Sequence, residues 1–137
     1  MKTARDIMST NVECASVNDT LTEAAKKMRD LDVGALPICG DDNRLKGMLT
    51  DRDITVRAVA EGMDPSTVKV VELAEGKPVT IGADDSLEEA MRTMTEHDVR
   101  RLPVIDGHDL VGMLTQADVA RSLPDERVGE LVGYISE

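Results

Sequence analysis

The chain has 137 residues, 41% of them hydrophobic, and a formal net charge of −11 at pH 7. That apolar share sustains a globular core and excludes a disordered chain. The negative surface repels phosphate backbones and anionic lipid, which argues against nucleic acid or a membrane as partner. Tyr134 is the single aromatic residue, so the core is aliphatic and there is no platform on which bases could stack.

The N-terminal Met1 to Asp6 is followed by no long apolar run, which predicts neither a Sec-type leader nor a spanning helix; the expected compartment is the cytoplasm. A short strand is expected from Val12 to Ala15. A helix follows, opened by a capping box of Thr20 and Glu23, with Leu21, Ala24, Ala25, Met28 and Leu31 at helical spacing on one face. Two short apolar strands come next, Ala35 to Cys39 and Lys46 to Leu49, joined by the polar turn Gly40-Asp41-Asp42-Asn43. A second helix starts at Thr50 and is stopped by Gly62 and Pro65.

The same order then recurs. Asp19-Thr20-Leu21 lies over Asp85-Ser86-Leu87, and Asp32-Val33-Gly34-Ala35-Leu36-Pro37-Ile38 over Asp98-Val99-Arg100-Arg101-Leu102-Pro103-Val104. After a one-residue deletion, Gly47-Met48-Leu49-Thr50-Asp51-Arg52-Asp53 lies over Gly112-Met113-Leu114-Thr115-Gln116-Ala117-Asp118. Asp6-Ile7-Met8 finds a counterpart in Glu72-Leu73-Ala74. In the second copy, strands are expected at Val79 to Ile81, Leu102 to Ile105 and Leu110 to Leu114. Its first helix carries Leu87, Ala90, Met91 and Met94, and its last helix runs from Thr115 to a stop at Pro124. The expected boundaries are 1–62 for the first repeat, 63–69 for a connector, 70–124 for the second repeat and 125–137 for an amphipathic helix carrying Val128, Leu131, Val132 and Ile135.

A unit of roughly 60 residues buries too little surface to stand alone. The expected fold is therefore α/β: two β-α-β-β-α repeats packed sheet to sheet, with pseudo-twofold symmetry and a pair of related clefts. The doubled Gly-hydrophobic-x-Thr-x-x-Asp signature, with Val-x-x-Leu-Pro-hydrophobic upstream of each copy, resembles the CBS domain, the module named after cystathionine β-synthase. The resemblance covers about residues 3 to 123. It implies a regulatory module that binds an adenine nucleotide or adenosyl ligand in the inter-repeat clefts and signals by conformational or oligomeric change. It also implies pairing into a homodimer, with an effector protein that the sequence does not name.

Thr50 with Asp53, and Thr115 with Asp118, read first as helix caps. The resemblance implies that the same four residues contact ribose, a task an acid also performs in dinucleotide-binding folds. Arg100 and Arg101 are the phosphate candidates, because guanidinium is a bidentate donor; solvated arginines paired with surface acids are the alternative. Arg57 and Arg121 are weaker candidates. The first repeat has Gly34 and Ala35 where the second has arginines, so equal binding of charged ligands at both sites is not expected. No cofactor is obligatory, and the sequence does not choose among AMP, ADP, ATP and S-adenosylmethionine. The acidic surface and the missing basic pair also fit a second reading, a stress-associated protein-interaction module without a nucleotide.

Cys14 and Cys39 read either as small buried apolar side chains or, on neighbouring parallel strands, as a disulfide. His97 and His108 have no ligand-spaced neighbours, and no metal site is expected. Catalysis is not expected either: there is no Ser-His-Asp set, P-loop or Gly-x-Gly-x-x-Gly, and Asp51, Asp53 and Glu61 are only acids along one helix.

Overall fold

In the computed structural model, residues 2–74 and 78–123 are described. The expected tail helix 125–137, with its apolar stripe, and Pro124 lie outside the described residues. The elements run α1 (Ala4–Ile7), β1 (Ala15–Ser16), α2 (Leu21–Leu31), β2 (Ala35–Cys39), β3 (Leu45–Thr50), a π-helix (Asp53–Val59), a 3₁₀ turn (Val70–Glu72), β4 (Ile81–Gly82), α3 (Leu87–His97), β5 (Arg101–Asp106), β6 (Asp109–Thr115) and α4 (Gln116–Ala120). The chain is thus mixed α/β, with two three-stranded sheets, β1-β2-β3 and β4-β5-β6.

The two sheets share one plan. β1 pairs parallel with β2 through Ala15↔Ile38 and Ser16↔Cys39; β4 pairs with β5 through Ile81↔Val104 and Gly82↔Ile105. The second and third strands of each sheet are antiparallel, and both ladders shift register at the same place, Ile38/Cys39 and Val104/Ile105. The first strands are shorter and later than the sequence predicts. A strand exists only where a partner offers its backbone, and β2 and β5 offer theirs opposite residues 15–16 and 81–82 rather than opposite Val12 or Val79.

The long helices form where the caps predict. Thr20 accepts from the Glu23 amide at 3.2 Å and Ser86 from that of Glu89 at 3.2 Å. Each helix ends on an aspartate in the left-handed region, Asp32 at φ 55° and Asp98 at φ 52°, which a short polar side chain tolerates. α3 buries Leu87, Ala90, Met91 and Met94, as expected. α2 buries Leu21, Ala24 and Met28, but Ala25 and Leu31 face out: its apolar stripe is narrower than the spacing suggests.

The contacts divide the chain into two compact units, Met1–Val12 with Val79–Glu137, and Glu13–Pro78. The start of the first repeat lies on the second sheet: Ser9 exchanges both backbone bonds with Met113, at 2.9 and 3.0 Å, and Ala4 is fully buried in the core of that unit with Ala90, Met94, Leu102, Val104, Leu114 and Val119. The 3₁₀ turn closes the other unit, where Val70 and Leu73 join Ala15, Leu21, Ala24, Leu36, Ile38, Leu49 and Ala58. Full burial of one such leucine or valine contributes about 1.5–3 kcal/mol.

α1 is a single turn held by a capping box. The Asp6 carboxylate accepts from the Thr3 amide at 2.9 Å and from the Thr3 hydroxyl at 3.2 Å, and these bonds, the backbone one first, hold its pKa below the usual aspartate value. A depressed folded-state value means that the bond's contribution is complete above the ordinary aspartate range and is lost as pH falls through the lower folded value. A carbon-13 titration is expected to give Asp6 a midpoint below the usual aspartate range. A midpoint at or above that range would rule the cap out.

Candidate functional site

The sequence-derived candidates fall on one corner of each sheet, where the middle strand begins and the third strand turns into a helix. In the second repeat Arg101 stands opposite Thr115 in the ladder, and the Arg100 carbonyl accepts the Gln116 amide at 2.8 Å. Thr115, Asp118, Arg100 and Arg101 are therefore brought together. In the first repeat Ala35 stands opposite Thr50, and the Gly34 carbonyl accepts the Asp51 amide at 2.9 Å.

Both Thr–Asp pairs are reciprocal caps. The Asp53 amide donates to the Thr50 hydroxyl at 3.0 Å while the Asp53 carboxylate accepts the Thr50 amide at 2.9 Å. Asp118 and Thr115 repeat this at 3.1 and 2.9 Å. The box satisfies helix-start amides and fixes the carboxylate rotamer. It also spends only one carboxylate oxygen. The other oxygen of Asp53 faces the Arg57 guanidinium at 4.0 Å, and that of Asp118 is paired with Arg121. A carboxylate oxygen accepts where a hydroxyl donates, so each acid offers a fixed acceptor to a donor group placed beside it. Both side chains are largely sheltered, with 27% exposure for Asp53 and 12% for Asp118.

Arg57 and Arg121 are thus tied to these acids rather than left as free phosphate donors; Arg57 also donates to the Leu73 carbonyl. Arg100 and Arg101 differ from them: both are exposed and neither makes an ion pair with a described residue.

The two corners differ in charge: Arg100 and Arg101 of the second repeat have uncharged Gly34 and Ala35 in their places in the first. A Cβ added to Gly34 would lie 3.1 Å from an oxygen of the Asp51 carboxylate. An acid therefore occupies the space where, in the other repeat, the Arg100 side chain is rooted, with uncharged Gln116 in place of Asp51. Sequence reasoning gave Asp51 no part in ligand choice. The signal was present in the alignment of Asp51 over Gln116, but the closeness of Asp51 to the glycine is a backbone effect invisible in one dimension.

The helix carrying Asp53 also departs from the other. It is wound with five-residue spacing, the Ala60 amide reaching the Thr55 carbonyl at 2.9 Å, while α4 is a regular short helix. Such wide turns are frequent at functional sites.

Cys14 and Cys39 are joined as a disulfide, their Cα atoms 5.7 Å apart, within the range that geometry permits. His97 and His108 are both exposed, and among the described residues no three His, Cys, Asp or Glu side chains are grouped to hold a metal ion.

Comparison with known proteins agrees with the doubled plan. The family model for the CBS domain matches residues 4–59 and again 70–125. Hypoxic response protein 1 of Mycobacterium tuberculosis is 52% identical over 135 residues, covering 98% of this chain and 94% of its own. A crystal structure of Hypoxic Response Protein I with two coordinated zinc ions superposes with a TM-score of 0.84 at 54% identity, over 90% of this chain and 100% of that one. CBSX2 in complex with AMP gives 0.77 at 25% identity, over 89% and 96% of the two chains. The CBS domain pair of MJ0100, in complex with 5′-methylthioadenosine and S-adenosyl-L-methionine, gives 0.76 at 26%, over 89% and 95%. Both halves match one family and a relative agrees along nearly the full length, so the chain belongs to the CBS domain family, as a tandem pair of CBS domains.

Proposed function

We propose that this CBS pair is a regulatory, non-catalytic module of the cytoplasm that binds an adenine nucleotide or adenosyl ligand, acts as a homodimer and signals by a change of conformation or assembly. The observation that carries the reading is the corner of the second repeat. There Thr115 and Asp118 offer a fixed acceptor for ribose, and Arg100 and Arg101, without acid partners among the described residues, offer donors for phosphate. The complexes of CBSX2 with AMP and of the MJ0100 pair with adenosyl compounds support it. Arg121 releases the Asp118 oxygen when a ligand hydroxyl takes its place. Signalling requires only that the ligand bind one arrangement of the module better than another.

The first repeat suits a different ligand. With Asp51 beside Gly34, its Thr50–Asp53 corner repels phosphate and favours an uncharged or cationic adenosyl group, of which S-adenosylmethionine is an example. The same feature favours a second reading for this half, a protein-contacting face without a nucleotide, in keeping with the stress-linked name of the mycobacterial relative.

Calorimetric titration with AMP, ATP and S-adenosylmethionine tests the proposal. AMP is expected to bind one site per chain, and Asp118→Ala to weaken it about tenfold or more, the loss of one charge-assisted hydrogen bond. Arg100→Ala with Arg101→Ala should weaken AMP while leaving adenosine unchanged. Absence of heat with any of the three at millimolar concentration overturns the ligand reading.

A further inference from the structure

The disulfide stands at a particular point of the chain. The backbone leaves one compact unit and joins the other between Val12 and Glu13, and Cys14 lies just past that crossing. It is bonded to Cys39, the last residue of β2, and the Val17 amide beyond it donates to the Cys39 carbonyl at 3.2 Å. On the other side of the crossing, Ser9 is paired through both backbone groups with Met113 in β6, close before Thr115. The crossing segment is thus fastened at both ends, by a covalent bond at Cys14 and by two hydrogen bonds at Ser9.

The second repeat provides an internal control. Thr80 and Ile105 hold the positions of Cys14 and Cys39, and β4 pairs with β5 in the same register, the Ala83 amide donating to the Ile105 carbonyl at 2.9 Å. The strand pairing therefore forms in one copy of the fold without any covalent link. A bond that the fold does not need for its pairing is free to open and close.

Access and charge fit this. Cys39 is buried at 7% exposure whereas Cys14 is half-buried, so Cys14 is the more open of the two to an incoming thiolate. The Lys27 ammonium donates to the Cys14 carbonyl at 2.9 Å and is held there by Asp19 at 3.2 Å. This keeps a positive charge on the residue whose sulfur reduction converts to a thiol or thiolate. Lys27 corresponds to Thr93 in the second repeat, which bonds within its own helix instead.

We infer that Cys14–Cys39 is a reversible redox latch on the crossing segment 9–14: closed, it clamps the segment to the first sheet; opened, it frees the segment and loosens the Ser9–Met113 pairing. The reductant is a low-molecular-weight thiol. Its thiolate attacks the Cys14 sulfur and forms a mixed disulfide; the Cys39 sulfur leaves as thiolate and takes a proton. A second thiolate attacks the small-molecule sulfur of the mixed disulfide and releases Cys14. Two electrons pass to the protein, and two thiols leave as one external disulfide. Oxidation by such a disulfide runs the same steps backwards.

Backbone amide exchange on the full chain, with and without dithiothreitol, tests the latch. On reduction the Val17 and Ser9 amides are expected to exchange about tenfold faster or more, through local opening, while Ala83 stays unchanged; oxidised glutathione restores the original rates. The Cys14→Ala, Cys39→Ala double variant should match the reduced protein and ignore dithiothreitol. Three results would overturn the proposal: faster exchange at Val17 with Ser9 unmoved, which makes the bond a local clamp only; an equal rise at Ala83, which makes reduction a global unfolding; or a bond that millimolar dithiothreitol does not open in the folded protein. None of these readouts depends on a bound nucleotide.

Discussion

Gly112→Val is expected to strip the N-terminal segment from the second sheet and to lower stability by about 3 kcal/mol, combining overpacking with lost burial. Gly112 sits in β6, and a Cβ there would meet the Met8 sulfur, the Met8 Cγ at 2.8 Å and the Ser9 carbonyl oxygen at 2.9 Å. The sulfur can swing away. The carbonyl cannot, because Ser9 is held by two backbone bonds to Met113. A side chain at 112 must therefore break that bridge, and with it goes the burial of Ala4, Ile7 and Met8 against the core of this unit. Thermal melting should fall by about 10 °C for a domain of this size. Gly112→Ala should lie between wild type and valine. A valine variant that melts with wild type would show that the segment does not need to lie against this strand.

Removing the disulfide is the second large effect. Cys14 and Cys39 are 25 residues apart, and closing a loop of that length restricts the unfolded chain enough to stabilise the native one by about 3 kcal/mol. Cys14→Ala with Cys39→Ala should shift the chemical-denaturation midpoint accordingly. Dithiothreitol should produce the same shift in wild type and none in the variant. β1 still pairs with β2 after either change, since β4 makes the same ladder without a bond, although it opens locally more often; most of the stability loss belongs to the unfolded ensemble. A shift below about 1 kcal/mol would show that the unfolded chain is already confined at this point.

The repeat, the caps and the hairpins were legible because they are local. Thr20, Ser86, Thr50 and Thr115 sit at the starts of apolar periodicity, and each caps the helix expected of it. The antiparallel strand pairs follow from two apolar runs and a polar turn, whose left-handed residues are Asn43 and Gly107. What could not be read is what lies over each sheet. The signature glycines Gly47 and Gly112 align perfectly in sequence, yet the reason for them is tertiary: a Cβ on Gly47 would stand 2.8 Å from that of Ala74, and one on Gly112 would strike Met8 and Ser9. The alignment of Asp6-Ile7-Met8 with Glu72-Leu73-Ala74 marks the two covering segments as equivalents without saying which sheet each one covers. The candidate site was legible as residue types. Its charge asymmetry, Asp51 against the root position of Arg100, needed the backbone.

The opening helix of the first repeat thus roofs the later sheet, and the opening turn of the second repeat roofs the earlier one. Copying and folding run out of phase. A gene cut at the seam of the duplication hands each product its sibling's lid, whereas a cut that frees 13–78 yields a piece already furnished with its own. Anyone dissecting this molecule into halves should follow the lids, not the repeat.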